Sequence, residues 1–220
     1  MKKKTILLDV DEVICFSGYL ELVNEFLHTN YTIDDFEDYY IDEAVIPEDK
    51  KREYYQFIRT KNQYANRKTL PGALEGITAL SKYYDIYICS DCRNPFDLDD
   101  SGRIFKNKFD YLHHLIPENI IPAKNYIFTG AKNMCVADIQ VDDLVSNLNP
   151  KIPVRILFPS YHNKKVRAEE LKEKGIIRAG HDYHTGWQNL CNILLQPQIL
   201  QINLDEENGK GSYKHDEIKL

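Results

Sequence analysis

Residues 5–13 read TILLDVDEV, and how this stretch is taken decides the reading of the rest. Its first half is an apolar run without alternation, the pattern of a strand buried on both faces of a parallel sheet. Its second half turns acidic. Asp9 and Asp11 stand two apart, a spacing that in extended backbone projects both side chains the same way. A buried strand ending in two carboxylates delivers charge to the carboxyl edge of a sheet, where open α/β folds bind their ligands. Paired carboxylates repel one another unless a cation offsets them, and magnesium takes hard oxygen ligands. One carboxylate could then attack phosphorus while the other moves protons. An isolated Asp-X-Asp has an equally ordinary reading as the cap of a following helix, so the downstream chain has to decide.

Downstream, residues 17–29 place Leu20, Val23, Phe26 and Leu27 at helical spacing, with Ser17 as the expected N-cap. Residues 31–67 turn aromatic and charged, with Tyr39, Tyr40, Tyr54, Tyr55, Phe57 and Tyr64 and a helix expected after Pro47. Pro71 and Gly72 mark the return to a helix over residues 73–83 and a second buried strand over 85–89. Further strands are expected at 126–129, 137–141 and 154–158, and helices near 104–115, 164–174 and 187–195. Such alternation predicts an α/β fold, a doubly wound parallel sheet covered by helices. The expected organisation is a discontinuous core (1–16 and 70–200), a small helical cap inserted after the first strand (17–69) and a tail (201–220). The tail is polar and glycine-containing, with little apolar surface to offset ordering entropy, and is expected to be mobile.

Bulk composition excludes several classes. Of 220 residues, 43% are hydrophobic and 28% charged, and no apolar run approaches the roughly 18 residues that cross a bilayer, so no membrane partner is expected. Lys2, Lys3 and Lys4 before an apolar stretch imitate a signal peptide, but Asp9 and Asp11 interrupt it. Cys15, Cys89, Cys92, Cys135 and Cys191 are scattered rather than arranged as a disulfide framework, which predicts a reducing, cytoplasmic setting. A formal net charge of -6 gives no broad attraction to phosphate polymers, so duplex nucleic acid is not expected as a partner and any phosphate must be held by a local site.

Three further positions could build such a site. Asp142 and Asp143 close the apolar segment 136–141, a second acidic strand end. Ser90 follows the strand over 85–89, where its hydroxyl and amide could donate to phosphate, although a lone serine there is usually a turn. Lys132 precedes 136–141, where an ammonium could offset phosphate charge, although most loop lysines are solvated. Together, LLDVDEV, ICS, GAK and QVDD resemble, in order, the four motifs of the haloacid dehalogenase superfamily of phosphohydrolases. Within it, LPGALEGITALSKYYDIYICS, NYIFTGAKNMCVADIQVDD, PVRILFPSYHN and a closing helix from Trp187 resemble the 5'(3')-deoxyribonucleotidase family, across roughly residues 4–195.

The resemblance implies Asp9 as nucleophile, Asp11 as general acid and then base, and Ser90 and Lys132 as phosphate holders. It implies Mg2+ on Asp9, on the main-chain carbonyl of Asp11 and on Asp143, with Asp142 a weaker ligand. An acid at position 11 argues against the dehalogenase branch, whose leaving group needs no proton. Phe16 falls where the family places a residue facing the nucleotide. The chain departs from the family pattern at Glu12, where Gly is common, and in the DCRNP loop opened by Asp91, which bears on the substrate more than on the reaction. The expected function is magnesium-dependent hydrolysis of a small phosphomonoester, a nucleoside monophosphate. A sugar phosphate or other small metabolite is the alternative substrate, and a non-catalytic nucleotide-binding relative the alternative class.

Other signals carry less. Cys89 and Cys92 form a CxxC with no second pair, His181 and His184 lie far in sequence from the acidic motifs, and Lys164, Lys165 and Arg167 are expected to pair with Glu169 and Glu170 on a helix surface.

Overall fold

The predicted alternation folds into one six-stranded, all-parallel sheet of order β3-β2-β1-β4-β5-β6, seen in a computed structural model that describes residues 2–16, 18–94 and 97–196. The strands are β1 (Lys4–Leu8), β2 (Tyr84–Ser90), β3 (Tyr126–Phe128), β4 (Ile139–Asp142), β5 (Val154–Leu157) and β6 (Ile176–Arg178). The helices are α1 (Tyr19–Leu27), α2 (Ile41–Val45), α3 (Lys51–Arg59), α4 (Ala73–Ser81), α5 (Ser101–Leu115), α6 (Ala168–Glu173) and α7 (Tyr183–Leu195). Alternate residues of one strand feed opposite faces, as a two-sided sheet requires. Ile6 and Leu8 of β1 enter the main core with α4 and α7, whereas Leu7 packs with Cys89 and Ile152. On β5, Ile156 joins the main core and Leu157 packs under Leu171 of α6. Helices therefore cover both faces.

α4 and α7 pack closely against each other in the main core. Trp187 is buried, and a Cβ on Gly76 would lie 2.4 Å from its ring, so only glycine lets the helices approach this closely. The Trp187 indole N–H donates to the Val13 carbonyl at 2.7 Å, satisfying a buried donor and tying α7 to the turn that follows Asp11.

Between β1 and α4 the chain leaves the sheet and comes back. Departure and return are stitched together by the Cys15–Thr69 antiparallel bridge, by Phe16 N–H to the Lys68 carbonyl (3.1 Å) and by Leu70 N–H to the Ile14 carbonyl (2.9 Å). The excursion carries α1, α2 and α3 and has its own apolar cluster of Leu22, Val23, Phe36, Ile41, Tyr54 and Ile58, which Tyr161 of the core joins.

Some expectations change. Ser17, expected as an N-cap, and the tail over 201–220 lie outside the described residues, and Gly18 occupies the N-cap position of α1. The helix expected over 164–174 begins only at Ala168, because a 3-10 turn at Tyr161–Asn163, capped by Ser160, takes up the preceding segment. Lys164 and Lys165 consequently pair with Asp34 and Glu37 of the excursion, not with Glu169 and Glu170. β6, three residues long, had no sequence signal of its own. Among the described residues no helix is long and apolar enough to cross a membrane.

Candidate active site

β1 and β4 run side by side with Leu8 level with Val141, and the Asp9 N–H donates to the Val141 carbonyl at 3.1 Å. This register sets Asp142, the last residue of β4, and Asp143 beside Asp9. One carboxylate oxygen from each of the three lies within 4.8 Å of the others, and all three residues are buried. Lys132, only 5% exposed, enters from the loop before β4, with Nζ 2.8 Å from Asp9 Oδ2 and 2.6 Å from Asp142 Oδ2. The other Asp142 oxygen accepts from the Leu144 N–H and the Asn147 side-chain amide, each at 3.0 Å. Asp143 Oδ2 lies 2.7 Å from His162 Nε2, and its carbonyl accepts from the Asn163 side chain at 2.8 Å.

Burial, compounded by the charge on Asp9, raises the Asp142 and Asp143 carboxyls above the usual carboxylate range despite Lys132. Burial alone would lower the Lys132 ammonium, but Asp9 and Asp142 outweigh it and raise it. Burial pushes the His162 imidazole down to about 4, so it is neutral at neutral pH. Asp9 Oδ1 is buried with no hydrogen-bond partner, and a buried polar atom in that state is costly. An orphaned carboxylate oxygen among crowded, all-oxygen donors fits a hard divalent cation, which would satisfy it and offset the repulsion.

Asp11 does not join this group. The sequence spacing predicts that its carboxylate converges with that of Asp9, but extended backbone ends at Leu8 and the chain turns through Asp11–Cys15. Glu12, buried in that turn, has φ 58, the left-handed region glycine favours, which accounts physically for Gly at this position in the family pattern. Asp11 Oδ1 accepts from the Tyr64 hydroxyl (3.0 Å) and from Arg67 Nη1, and Oδ2 from Lys108 Nζ (2.7 Å). Burial would raise this carboxyl, but Lys108 and Arg67 hold it well below the usual range. The side chain is still 24% exposed, so the two cations decide.

Ser90 closes β2, and its Oγ accepts from Lys108 Nζ at 2.9 Å. The Asp91 carboxylate is taken by Arg93, and its carbonyl accepts from Lys108. Asp9, Asp11, Ser90, Asp91 and Lys132 all line one cavity of about 320 Å³, which Tyr19, Tyr39, Tyr40 and Tyr55 from the excursion also wall. Asp142 and Asp143 are buried next to Asp9 and are not among the residues that line the cavity. Phe16 is not on the cavity wall. Its ring packs edge-on against Tyr183 at 5.5 Å. The CxxC pair is likewise divided, since Cys89 faces Cys135 (Sγ–Sγ 3.8 Å) and Cys92 packs with Tyr64 and Ile104.

Tyr64, Arg67, Lys108 and His162 were missed by sequence reasoning. Lys108 did leave a signal, as a lysine inside the Ile104–Lys108–Leu112 stripe that α5 buries. Arg67 and His162 left none, because each meets its carboxylate only through tertiary folding.

The chain resembles the 5'(3')-deoxyribonucleotidases of Bacillus subtilis (strain 168) and Bacillus phage SPbeta, each 26% identical over 171 residues, covering 74% of this chain and 88% of theirs. A solved haloacid dehalogenase-like family hydrolase from Streptococcus pneumoniae superposes with a TM-score of 0.45 at 13% identity, over 87% of this chain and 98% of that one. Residues 3–179 match the family model of the 5' nucleotidase, deoxy (pyrimidine), cytosolic type C proteins, and the chain belongs to that family of phosphatases.

Proposed function

We propose that the protein is a magnesium-dependent phosphomonoesterase that hydrolyses nucleoside monophosphates, deoxyribonucleotides foremost, through a phosphorylated Asp9. Family membership supports the reaction class, and the names of the Bacillus and phage relatives support the deoxyribonucleotide substrate. The observation that carries the mechanism is the buried, unpartnered Oδ1 of Asp9, beside Lys132 and the Asp142–Asp143 pair, in a cavity large enough for a small ester.

Asp9 attacks phosphorus and forms an acyl phosphate as the bond to the sugar oxygen breaks. Asp11, held ionised by Lys108 and Arg67 in the free protein, takes up a proton as the negatively charged ester binds beside it, gives that proton to the departing oxygen, then removes one from the water that attacks phospho-Asp9, releasing inorganic phosphate and restoring the Asp9 carboxylate. Lys132 offsets charge on the phosphoryl oxygens and Ser90 donates to one of them. Asp9, Asp143 and the Asp11 carbonyl would hold magnesium, which would supply further positive charge beside the phosphoryl group. Asp142 has both oxygens committed to Lys132, Leu144 and Asn147, so its part is to fix Lys132. The excursion over 17–69 acts as a cap whose tyrosines offer aromatic faces to a base.

The test is phosphate release from a panel of ribo- and deoxyribonucleoside monophosphates and sugar phosphates, with magnesium or with chelator. Magnesium-dependent turnover of nucleotides, abolished in Asp9→Asn, is expected. Turnover of sugar phosphates alone would overturn the substrate, and no turnover of any ester would overturn the function.

A further inference from the structure

Lys108 is a lysine where packing asks for a leucine. It lies on α5 between Ile104 and Leu112, is 1% exposed, and ends at the cavity that holds Asp9 and Asp11. Burying an ammonium is expensive, and an apolar side chain of similar volume would fill the stripe at no such cost. Neutralising Asp11 does not require it either, since the Arg67 guanidinium already sits on Asp11 Oδ1. What Lys108 adds is a set of simultaneous contacts from one nitrogen, to Asp11 Oδ2 at 2.7 Å, to Ser90 Oγ at 2.9 Å and to the Asp91 carbonyl. An ammonium has three N–H donors, and these acceptors use all of them. Nothing is left over for a substrate oxygen, so the group holds rather than binds.

The acceptors come from different parts of the chain. Asp11 lies in the turn after β1, whereas Ser90 and Asp91 lie at the end of β2. The two strands are hydrogen-bonded only as far as Leu8 and Ile88, and beyond that point the backbone no longer fixes one relative to the other. We propose that Lys108 is a positioning residue that fixes the Asp11 carboxylate relative to the phosphate-holding end of β2, so that the proton reaches the ester oxygen. Arg67 supports the opposite Asp11 oxygen and is itself held by its Nε–H to the Gln63 carbonyl at 2.9 Å. This inference rests on the phosphatase reading above, with Asp11 as the proton donor.

A residue that acts through Asp11 matters only where Asp11 matters. The test compares Lys108→Met, Asp11→Asn and the double variant on two esters, with magnesium present. A nucleoside monophosphate has an alkoxide leaving group that needs a proton, whereas p-nitrophenyl phosphate has a leaving group that departs without one. Lys108→Met is expected to lower kcat on the nucleotide by about 100-fold with KM within about 3-fold, while the first-turnover burst of nitrophenolate falls by less than about 10-fold. In the Asp11→Asn background, Lys108→Met is expected to cost less than about 3-fold more, because its target is already gone. The double variant removes both charges of the buried pair, so its rate can be compared with that of Asp11→Asn even if Lys108→Met alone fails to fold. Equal losses on both esters in folded Lys108→Met, or a double variant far slower than Asp11→Asn, would overturn the inference. If the unaltered chain turns over p-nitrophenyl phosphate and a sugar phosphate but no nucleotide, the proposed substrate falls and the sugar phosphate takes the nucleotide's place in the same comparison. Turnover of neither ester class overturns both.

Discussion

Asp9, Asp11, Asp142 and Asp143 share the carboxyl edge of the sheet with Lys132, Lys108 and Arg67, and the two signs are not evenly distributed. Asp11 has two cations to itself and is held below the usual carboxylate range, whereas Asp142 and Asp143, buried beside Asp9 with only Lys132 opposing, are raised above it. The two cases have opposite consequences for stability. A carboxyl whose folded pKa is depressed contributes stability above its unfolded pKa of about 3.9 and loses it as pH falls through the folded value. A carboxyl whose folded pKa is raised contributes fully below about 3.9 and loses that contribution as pH rises through the folded value. Metal-free protein is therefore expected to lose Tm as pH rises from about 6.5 to about 8, above the range in which His162, kept neutral by burial, contributes in the opposite direction, with Asp143→Asn flattening the slope. Millimolar magnesium is expected to raise Tm more at the upper end of that range, because it binds ionised carboxylates in the folded state. Thermal melts in chelator and in magnesium check both; a flat profile in chelator would contradict this account of the acidic group. At this scale Asp9, Ser90, Asp142 and Asp143 stood out in the sequence because strand ends announce themselves by an apolar run stopping at a polar residue, whereas Lys132, in the loop before β4, stood out only through the resemblance carried by GAK. Arg67 and His162 were not, because each finds its carboxylate across a loop.

Elements were legible in proportion to their length and periodicity. The stretch around α5 read as a helix from its apolar spacing, yet the same spacing hid Lys108, which a periodicity argument passes over as an exception. β6 was missed although β3, equally short, was expected at 126–129, so length alone does not separate them, and α6 started late because Ser160 and Asn163 form a local cap that competes with helix. The contact between α4 and α7 depends on one absent side chain. Gly76→Ala would put a methyl against the Trp187 ring and is expected to cost about 1–3 kcal/mol. It would also disturb the indole N–H bond to Val13, two residues beyond Asp11, so kcat should fall along with Tm. Denaturant melts and phosphate release on the same preparation measure both. A variant as stable and active as the unaltered chain would show that the helices can separate freely.

Across the whole molecule, the sheet supplies charge and the excursion supplies aromatic surface, and the cavity lies where they meet. The sheet was legible because strand–helix alternation admits few arrangements. The seating of the excursion was not, since it depends on non-local pairs such as Tyr161 hydroxyl to the Tyr39 carbonyl (2.8 Å), Lys164 with Asp34, and Arg59 with Asp97. What the assembled molecule is proposed to do reduces to one covalent event on Asp9. The direct test is to quench the enzyme with acid during turnover of a deoxyribonucleoside monophosphate in magnesium and map the phosphorylated residue by peptide mass. Phosphate on Asp9, absent from Asp9→Asn together with turnover, is the predicted result. Undiminished turnover in Asp9→Asn, or covalent phosphate on another residue, would contradict the account.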